Sequence, residues 1–364
     1  MIKKITTFIV FTLVALAVFL AGYLISRKSL SGNQNEQALI GESLVSRFEE
    51  VPEKHVPPVG LFAISRDRAV FPTLSSNGKE ILYYNPDNGE IRSVSTQNLS
   101  GGSSLVAKIQ PGAQQISWAS NKTLVATFPN GSIFYDLNSN TSKKLDSKIK
   151  NLAFSKTGDK LAYNYFDPET KEGNISIADP LVESYKVILP TRFGNWKIDW
   201  ISGGALSLLR PSTVENPTSS LFTLDIENKS LHNILESKNN LEVIWSPDGK
   251  KIVYSYNPDV TQESQLYFMD LANQEETSLN TVLNASKCVW SIDNKTIYCA
   301  GKDSFVTIDT SSAQPLAKKI ATLSPEAQNS AATASNLLLT SLEDYLIFQN
   351  TQNGKLYGLN LAAR

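Results

Sequence analysis

The stretch Val243–Tyr254, "VIWSPDGKKIVY", is an apolar run, a Pro-Asp-Gly turn and a second apolar run. In the turn, Pro247 sets φ for the first position, Asp248 can bond the backbone, and Gly249 accepts the left-handed conformation that closes a hairpin. Whether this hairpin stands alone decides the architecture. The same pattern, an aromatic or Leu followed by a small polar residue, a turn and an apolar run, recurs six more times. The copies are "TLSSNGKEILYY", "SWASNKTLVATF", "AFSKTGDKLAYN", "DWISGGALSLLR", "VWSIDNKTIYCA" and "LLTSLEDYLIFQ". Their anchors are Leu74, Trp118, Phe154, Trp200, Trp245, Trp290 and Leu339, spaced by about 45 residues.

Four residues after each anchor stand Gly78, Lys122, Gly158, Gly204, Gly249, Asn294 and Glu343. The four glycines and Asn294 tolerate a positive φ cheaply, so the turn repeats with the anchor. A third strand follows in each copy and usually ends near Asp or Asn, as at Asp136, Asp179, Asp225, Asp270, Asp309 and Asn360. One short strand before the next anchor brings each unit to four strands. That is the content of a propeller blade. The fold class is therefore all-β, a β-propeller of seven four-stranded blades. The segment around Leu61 to Ile64 supplies a strand that the last copy lacks, so the N-terminal end of the ring completes the C-terminal blade and removes an exposed sheet edge.

"WSPDGKKIVYSY" with its downstream "QLYFMDL", and "FSKTGDKLAYNY" with "NISIAD", resemble the WD40-like (PD40-type) repeat of TolB-like β-propellers. The likeness covers residues 59–364 and is closest in the fifth copy. It favours a ring that lies outside the cytoplasm. Similar propellers precede an α/β-hydrolase domain in prolyl-oligopeptidase-type peptidases, and no such domain is expected here.

The first 28 residues differ in kind. Ile5 to Ile25, "ITTFIVFTLVALAVFLAGYLI", carries no charge and is flanked by Lys3 and Lys4 before and Arg27 and Lys28 after. As a helix it rises about 30 Å, the thickness of the hydrocarbon core. It is too long for the apolar region of a signal peptide and lacks a well-placed small-x-small site. Residues 1–28 are thus expected to be a transmembrane signal-anchor, single-pass, and residues 29–58 a spacer with a short amphipathic piece, "ALIGESLVSRFEE". The flanking basic residues are balanced and do not orient the anchor.

Charge and composition exclude several functions. The net charge is -1 and the 34 Lys and Arg are dispersed, so the footprint of a nucleic-acid binder is missing. Of the two histidines, His55 lies among prolines and His232 follows a strand; without a G-x-S-x-G elbow neither suggests a hydrolase triad. Two cysteines and two histidines cannot form a Cys/His zinc site at useful spacing. No cofactor, metal or catalytic residue is expected. The aromatics Tyr83, Tyr163, Tyr165, Tyr254, Tyr256 and Phe348 recur on the strand after each turn, a pattern that packing between blades explains better than a carbohydrate-stacking surface.

Cys288 and Cys299 fall opposite one another across a hairpin, close enough to be bonded or to remain two buried thiols. The resemblance and this pair favour the ring outside the cytoplasm, in a periplasm or on a cell surface. Polar loops such as "STVENPTSS" (Ser212 to Ser220) and "NPDVTQES" (Asn257 to Ser264) are left on the rims, where recognition usually resides. The expected function is a non-catalytic binding scaffold in the cell envelope. The alternative is a lactonase-like propeller hydrolase that works through a central cation.

Overall fold

The computed structural model describes residues 60–361, apart from 120–121, 181–183, 202–203, 260–262, 313–314 and 321–329. The expected anchor at residues 5–25 and the spacer lie outside the described residues. Among the described residues no helix is long and apolar enough to cross a membrane.

The chain opens with β1 (Leu61–Ala63) and continues through β2 (Val70–Leu74), β3 (Glu80–Tyr84), β4 (Glu90–Ser95) and β5 (Ser104–Lys108). The next group is β6 (Gln115–Trp118), β7 (Thr123–Phe128), β8 (Gly131–Asp136) and β9 (Thr141–Lys144). Then come β10 (Ile149–Phe154), β11 (Leu161–Asp167), β12 (Glu172–Ala178) and β13 (Tyr185–Thr191). A longer group holds β14 (Lys197–Trp200), β15 (Ala205–Arg210), β16 (Ser219–Asp225), β17 (Leu231–Trp245), β18 (Lys251–Asn257), β19 (Gln265–Asp270) and β20 (Glu275–Ser278). It is followed by β21 (Cys288–Trp290), β22 (Thr296–Ala300), β23 (Phe305–Asp309) and β24 (Ala317–Lys319), and finally by β25 (Ala334–Leu339), β26 (Tyr345–Asn350) and β27 (Leu356–Asn360).

These strands form five four-stranded antiparallel sheets and one seven-stranded sheet among the described residues. In the seven-stranded sheet β17 serves twice: its first half pairs with β16 and its second half with β18. Ser237 and Asn240 bend it between the two, at φ 52 each. The last sheet runs β1-β27-β26-β25, with Leu61 opposite Leu359, so the strand at the N-terminal end of the ring does complete the C-terminal sheet.

All seven anchors occupy one position: each is the last residue of the strand that opens its hairpin, β2, β6, β10, β14, β17, β21 or β25. Three of the tryptophans show what an anchor does there. The Trp118 indole donates to the Phe71 carbonyl (2.8 Å), Trp245 to the Ser207 hydroxyl (2.9 Å) and Trp290 to the Ile244 carbonyl (3.5 Å), each in the preceding unit. The apolar ring packs and the N–H stitches, so one residue joins two units.

The small polar residue after the anchor sets the turn. In four hairpins its buried hydroxyl accepts the backbone N–H five residues on: Glu80 to Ser75, Lys160 to Ser155, Lys251 to Ser246, and Tyr345 to Thr340. Gly78, Gly158, Gly204 and Gly249 all take positive φ, between 67 and 86. Glu343, a poor residue for that conformation, also sits at φ 54, and its carboxylate accepts bonds from the Ser291 hydroxyl (2.8 Å) and the Ile292 amide (2.7 Å) of the neighbouring turn. The recurrent Asp at the third strand is a turn device too. The side chains of Asp136, Asp225, Asp270 and Asp309 accept a backbone N–H two or three residues on.

The core is divided. Seven buried apolar clusters are present among the described residues, and each draws on two neighbouring units. The closing one combines Ile81, Tyr83 and Val94 of the first unit with Tyr345, Ile347 and Leu356 of the last. The aromatic strand residues contribute here: Tyr83, Tyr163, Tyr254 and Phe348 are buried in such interfaces, while Tyr165 and Tyr256 are half-buried at their edges.

The turn glycines separate two costs. A Cβ on Gly204 meets nothing within 4 Å, whereas one on Gly158 falls 2.7 Å from the Ala119 carbonyl oxygen of the adjacent unit. Gly204→Ala is expected to cost about 1–2 kcal/mol for its backbone conformation alone. Gly158→Ala should cost clearly more, because backbone must move. Urea unfolding of both variants checks the order, and equal costs would show that the units do not meet as closely as described.

Candidate functional site

The strands that open the hairpins are the innermost of each unit, and they form a wall. β17, β21, β25, β2, β6, β10 and β14 touch in that succession, and β14 and β17 are joined again through β15 and β16 of their common sheet. Along these strands burial alternates with the period of two expected of a sheet. Two residues before the anchor, Pro72, Ile116, Leu152, Ile198, Cys288 and Leu337 are buried between units. One residue before it, Thr73, Ser117, Ala153, Asp199, Ile244, Val289 and Leu338 all keep contact with water. These side chains line a central channel.

Three residues before the anchor the wall becomes polar. Phe71, Gln115, Asn151, Lys197, Glu242, Lys287 and Asn336 hold the equivalent places, none of them buried. All but Phe71 are polar, so one mouth of the channel is ringed with amides, lysines and a carboxylate. Backbone bulges aim several of them: the pairing register shifts near Phe71, Asn240 and Asn336, which adopt φ of 53, 52 and 50.

At this mouth, between the fourth, fifth and sixth hairpins, lies a cleft of about 460 Å³. Lys197, Asn240, Glu242 and Asn284 contribute to its wall, and so do Ser212, Ser219, Asn257 and Ser264. The last four belong to the two polar loops singled out from the sequence. β15 ends beside the start of β14 and β18 ends beside Asn239 in the middle of β17, so antiparallel pairing carries both loops to the same rim.

Part of the cleft is already engaged. Glu242 accepts the Ser286 amide (3.0 Å), and Ser219 accepts the Ser212 amide (3.0 Å). Lys197, Asn240 and Asn284 are different: no hydrogen bond or ion pair engages their side chains among the described residues. Asn284 leads a 3-10 turn, Ala285–Lys287, that delivers the chain to β21. There Cys288 stands opposite Cys299 in the β21–β22 ladder and is joined to it by a disulfide of S–S 2.07 Å. The bridge lies in the interface between the fifth and sixth units.

Asp199 is the carboxylate that stands one residue before its anchor on the wall. It keeps contact with water, yet the surrounding protein desolvates it enough to push its pKa up; Lys197, two residues away on the same face, pulls it the other way. A second polar cluster sits in the interface between the fourth and fifth units. Tyr256 and Tyr267 stack at 4.7 Å, Tyr254 donates to Glu276 (2.5 Å), and Lys238 bridges Glu276 (3.0 Å) while lying over the Tyr256 ring. Burial first, then the Tyr256 hydroxyl, push Tyr267 up to about 12. Burial would raise Glu276, but the bonds from Tyr254 and Lys238 outweigh it and hold the carboxyl below its usual range. Every polar group in this cluster is partnered, so it closes an interface and leaves nothing for a ligand.

His232 is exposed on β17 beside the Ser230 hydroxyl (3.1 Å), away from any nucleophile arrangement. Among the described residues no group of three or more His, Cys, Asp or Glu could hold a metal ion.

Solved structures share this architecture. An oligogalacturonate lyase in complex with manganese superimposes with a TM-score of 0.62 at 11% identity, covering 83% of this chain and 93% of that one. The β-propeller domain of Myceliophteria thermophila Cps50 gives 0.56 at 9% identity, with 82% and 99% covered. The fold is a β-propeller. Hydrazine synthase from Kuenenia stuttgartiensis also matches, at a TM-score of 0.56 and 14% identity, over 80% of this chain and 95% of that one. No family model and no curated protein sequence matches the chain. Identities this low carry the propeller across and leave the chemistry to the site itself.

Asp199 supplies a test of the channel. Its folded pKa lies above the unfolded value, so the folded state holds the proton longer; stability falls as pH rises from about 4 through the folded pKa, and the loss persists above it. Asp199→Asn is therefore expected to melt higher than the parent at pH 7 and to lose that advantage near pH 3. An unchanged melting temperature at pH 7 would mean that the carboxylate is fully hydrated.

Proposed function

We propose that the chain is a single-pass membrane protein whose seven-bladed, extracytoplasmic propeller binds a protein or peptide and catalyses no reaction. The observation that carries this reading is the cleft at the channel mouth, where two polar loops meet Lys197, Asn240 and Asn284, whose side chains make no hydrogen bond or ion pair among the described residues. Amide and ammonium groups of that kind, held on a rigid ring, suit the carbonyls and hydroxyls of an extended polypeptide. The count of seven follows from treating each half of β17 as belonging to its own blade.

The chain's own sequence supports the address. Ile5 to Ile25 has the length and composition of a membrane span, and the Cys288–Cys299 bridge suits an oxidising compartment. Tethering would hold the mouth near other envelope components and raise their effective concentration. The lactonase-like alternative needs several oxygen ligands converging on a central cation. Among the described residues the wall strands bring only Asp199 and Glu242 to the channel as carboxylates, and Glu242 is already bonded to Ser286.

Crosslinking in native membranes tests the binding role. A reproducible protein partner is expected with the parent chain, and its recovery should drop at least several-fold when Lys197 and Asn284 are both changed to Ala. Protease added from outside the inner membrane should digest the ring, and survival of the ring until that membrane is lysed would overturn the orientation.

A further inference from the structure

The hairpin turns lie at the other end of the ring, away from the polar mouth. At the seam between the first and last units they leave a second cleft, of about 390 Å³. The turn after Leu74 supplies one wall and the turn after Leu339 the other, and the two touch where the Ser341 hydroxyl donates to the Gly78 carbonyl (3.2 Å). Leu99, Leu342 and Tyr345 make the lining partly apolar, with Lys79 on the first wall and Asp344 on the last.

Several of these side chains have no work within the fold. Tyr345 is only 6% exposed, yet its hydroxyl makes no hydrogen bond among the described residues, and protein does not seal it off. What surface it keeps faces the cleft. A hydroxyl held in that way costs stability unless a guest meets it. The Lys79 ammonium has no hydrogen bond or ion pair among the described residues, and Asp344 accepts the Thr340 hydroxyl through Oδ1 alone. Leu342 stands 85% exposed on a turn that the bonds from Glu343 to Ser291 and Ile292 hold in place.

We propose that this cleft binds a free α-amino acid with an apolar side chain, its carboxylate on Lys79 and the Tyr345 hydroxyl, its ammonium on Asp344, and its side chain against Leu99 and Leu342. The pair of opposite charges selects the class. A simple anion meets Lys79 but is repelled by Asp344, a simple amine meets Asp344 but is repelled by Lys79, and an uncharged peptide segment leaves both unmatched. A divalent cation asks for about six oxygens, and the lining carries a single carboxylate. Because the walls belong to the two ends of the ring, a bound zwitterion ties the closing seam and stabilises the closed form by mass action. The site stands apart from the mouth cleft and does not rest on the scaffold reading.

The probes are L-leucine, N-acetyl-L-leucine, which lacks the cation, and L-leucinamide, which lacks the anion, each titrated calorimetrically into the full-length protein. Leucine is expected to bind about tenfold or more tightly than either blocked form, the scale of one charged hydrogen bond, and to raise the melting temperature where they do not. Asp344→Asn keeps an acceptor for Thr340 and should erase the discrimination against N-acetyl-leucine; Lys79→Met should erase that against leucinamide. Tyr345→Phe keeps its ring edge-on to Phe62 and should weaken leucine several-fold. Melting curves without ligand confirm that each variant folds. No heat of binding, equal binding of the three probes, a discrimination that outlasts its variant, or an affinity that Tyr345→Phe leaves unchanged overturns the proposal. Changing Lys197 and Asn284 to Ala should leave leucine binding at the parent level. Its loss in that variant would put the amino acid in the mouth cleft and overturn this site, while a lost crosslinked partner with leucine binding intact bears on the scaffold reading alone.

Discussion

Closure is the constraint on which everything else depends. No unit of this chain owns a core: every buried apolar cluster among the described residues is shared by two neighbours, and the closing one exists only because the last hairpin returns to the first. An isolated hairpin is marginal in water, and the units of this chain bury their apolar faces against one another. The anchors make that dependence specific. Trp118, Trp245 and Trp290 fill the interface and spend their single N–H on the unit before, which fixes spacing and angle as well as contact. β1 seals the ring. Phe62 packs edge-on against Tyr345 at 5.7 Å, and Gly358 opposite it on β27 leaves the room its ring requires, since a Cβ there would fall 2.5 Å from the Phe62 ring.

The same alternation that builds the interfaces makes the channel. A strand sends successive side chains to opposite faces, so an inner strand that commits Ile198 and Trp200 to its neighbours must commit Lys197 and Asp199 to the axis. Residues on the axis contribute less to inter-unit packing: Ala153, Ile244, Val289 and Leu338 lean on the shared clusters but keep contact with water. Axis positions are free to be polar, and Gln115, Glu242 and Lys287 show that freedom being taken at the mouth.

Much of this was legible in the sequence because packing is repetitive. The anchors, the turn glycines and the strand at Leu61 repeat or complete a pattern that closure imposes on every unit: the anchors end their strands, the glycines take positive φ and Leu61 pairs with Leu359. The two polar loops were legible as loops, though not as neighbours; their meeting depends on which rim antiparallel pairing assigns them. The channel residues were missed, although counting back one and three positions from each anchor finds them. They vary in type from unit to unit, and bulges near Phe71, Asn240 and Asn336 break the strict period there. A search for recurrent residues overlooks positions whose common property is only their direction. Glu343 was likewise opaque, since its left-handed backbone is tolerated through bonds to Ser291 and Ile292 in another unit.

β17 gives the ring a grain. No other strand among the described residues is shared by two sets of partners in this way, whereas Leu231–Trp245 runs unbroken from the outer edge of one unit to the inner wall of the next. Two units thus share a ladder of backbone hydrogen bonds in addition to side-chain packing, and they respond to load as one plate. A ring so built breathes at its loop-joined seams and stays rigid across this one. Asn240 and Glu242 lie on that continuous strand, so the floor of the mouth cleft is fixed to the stiffest sector of the molecule, and any adjustment to a guest falls to the loops around it.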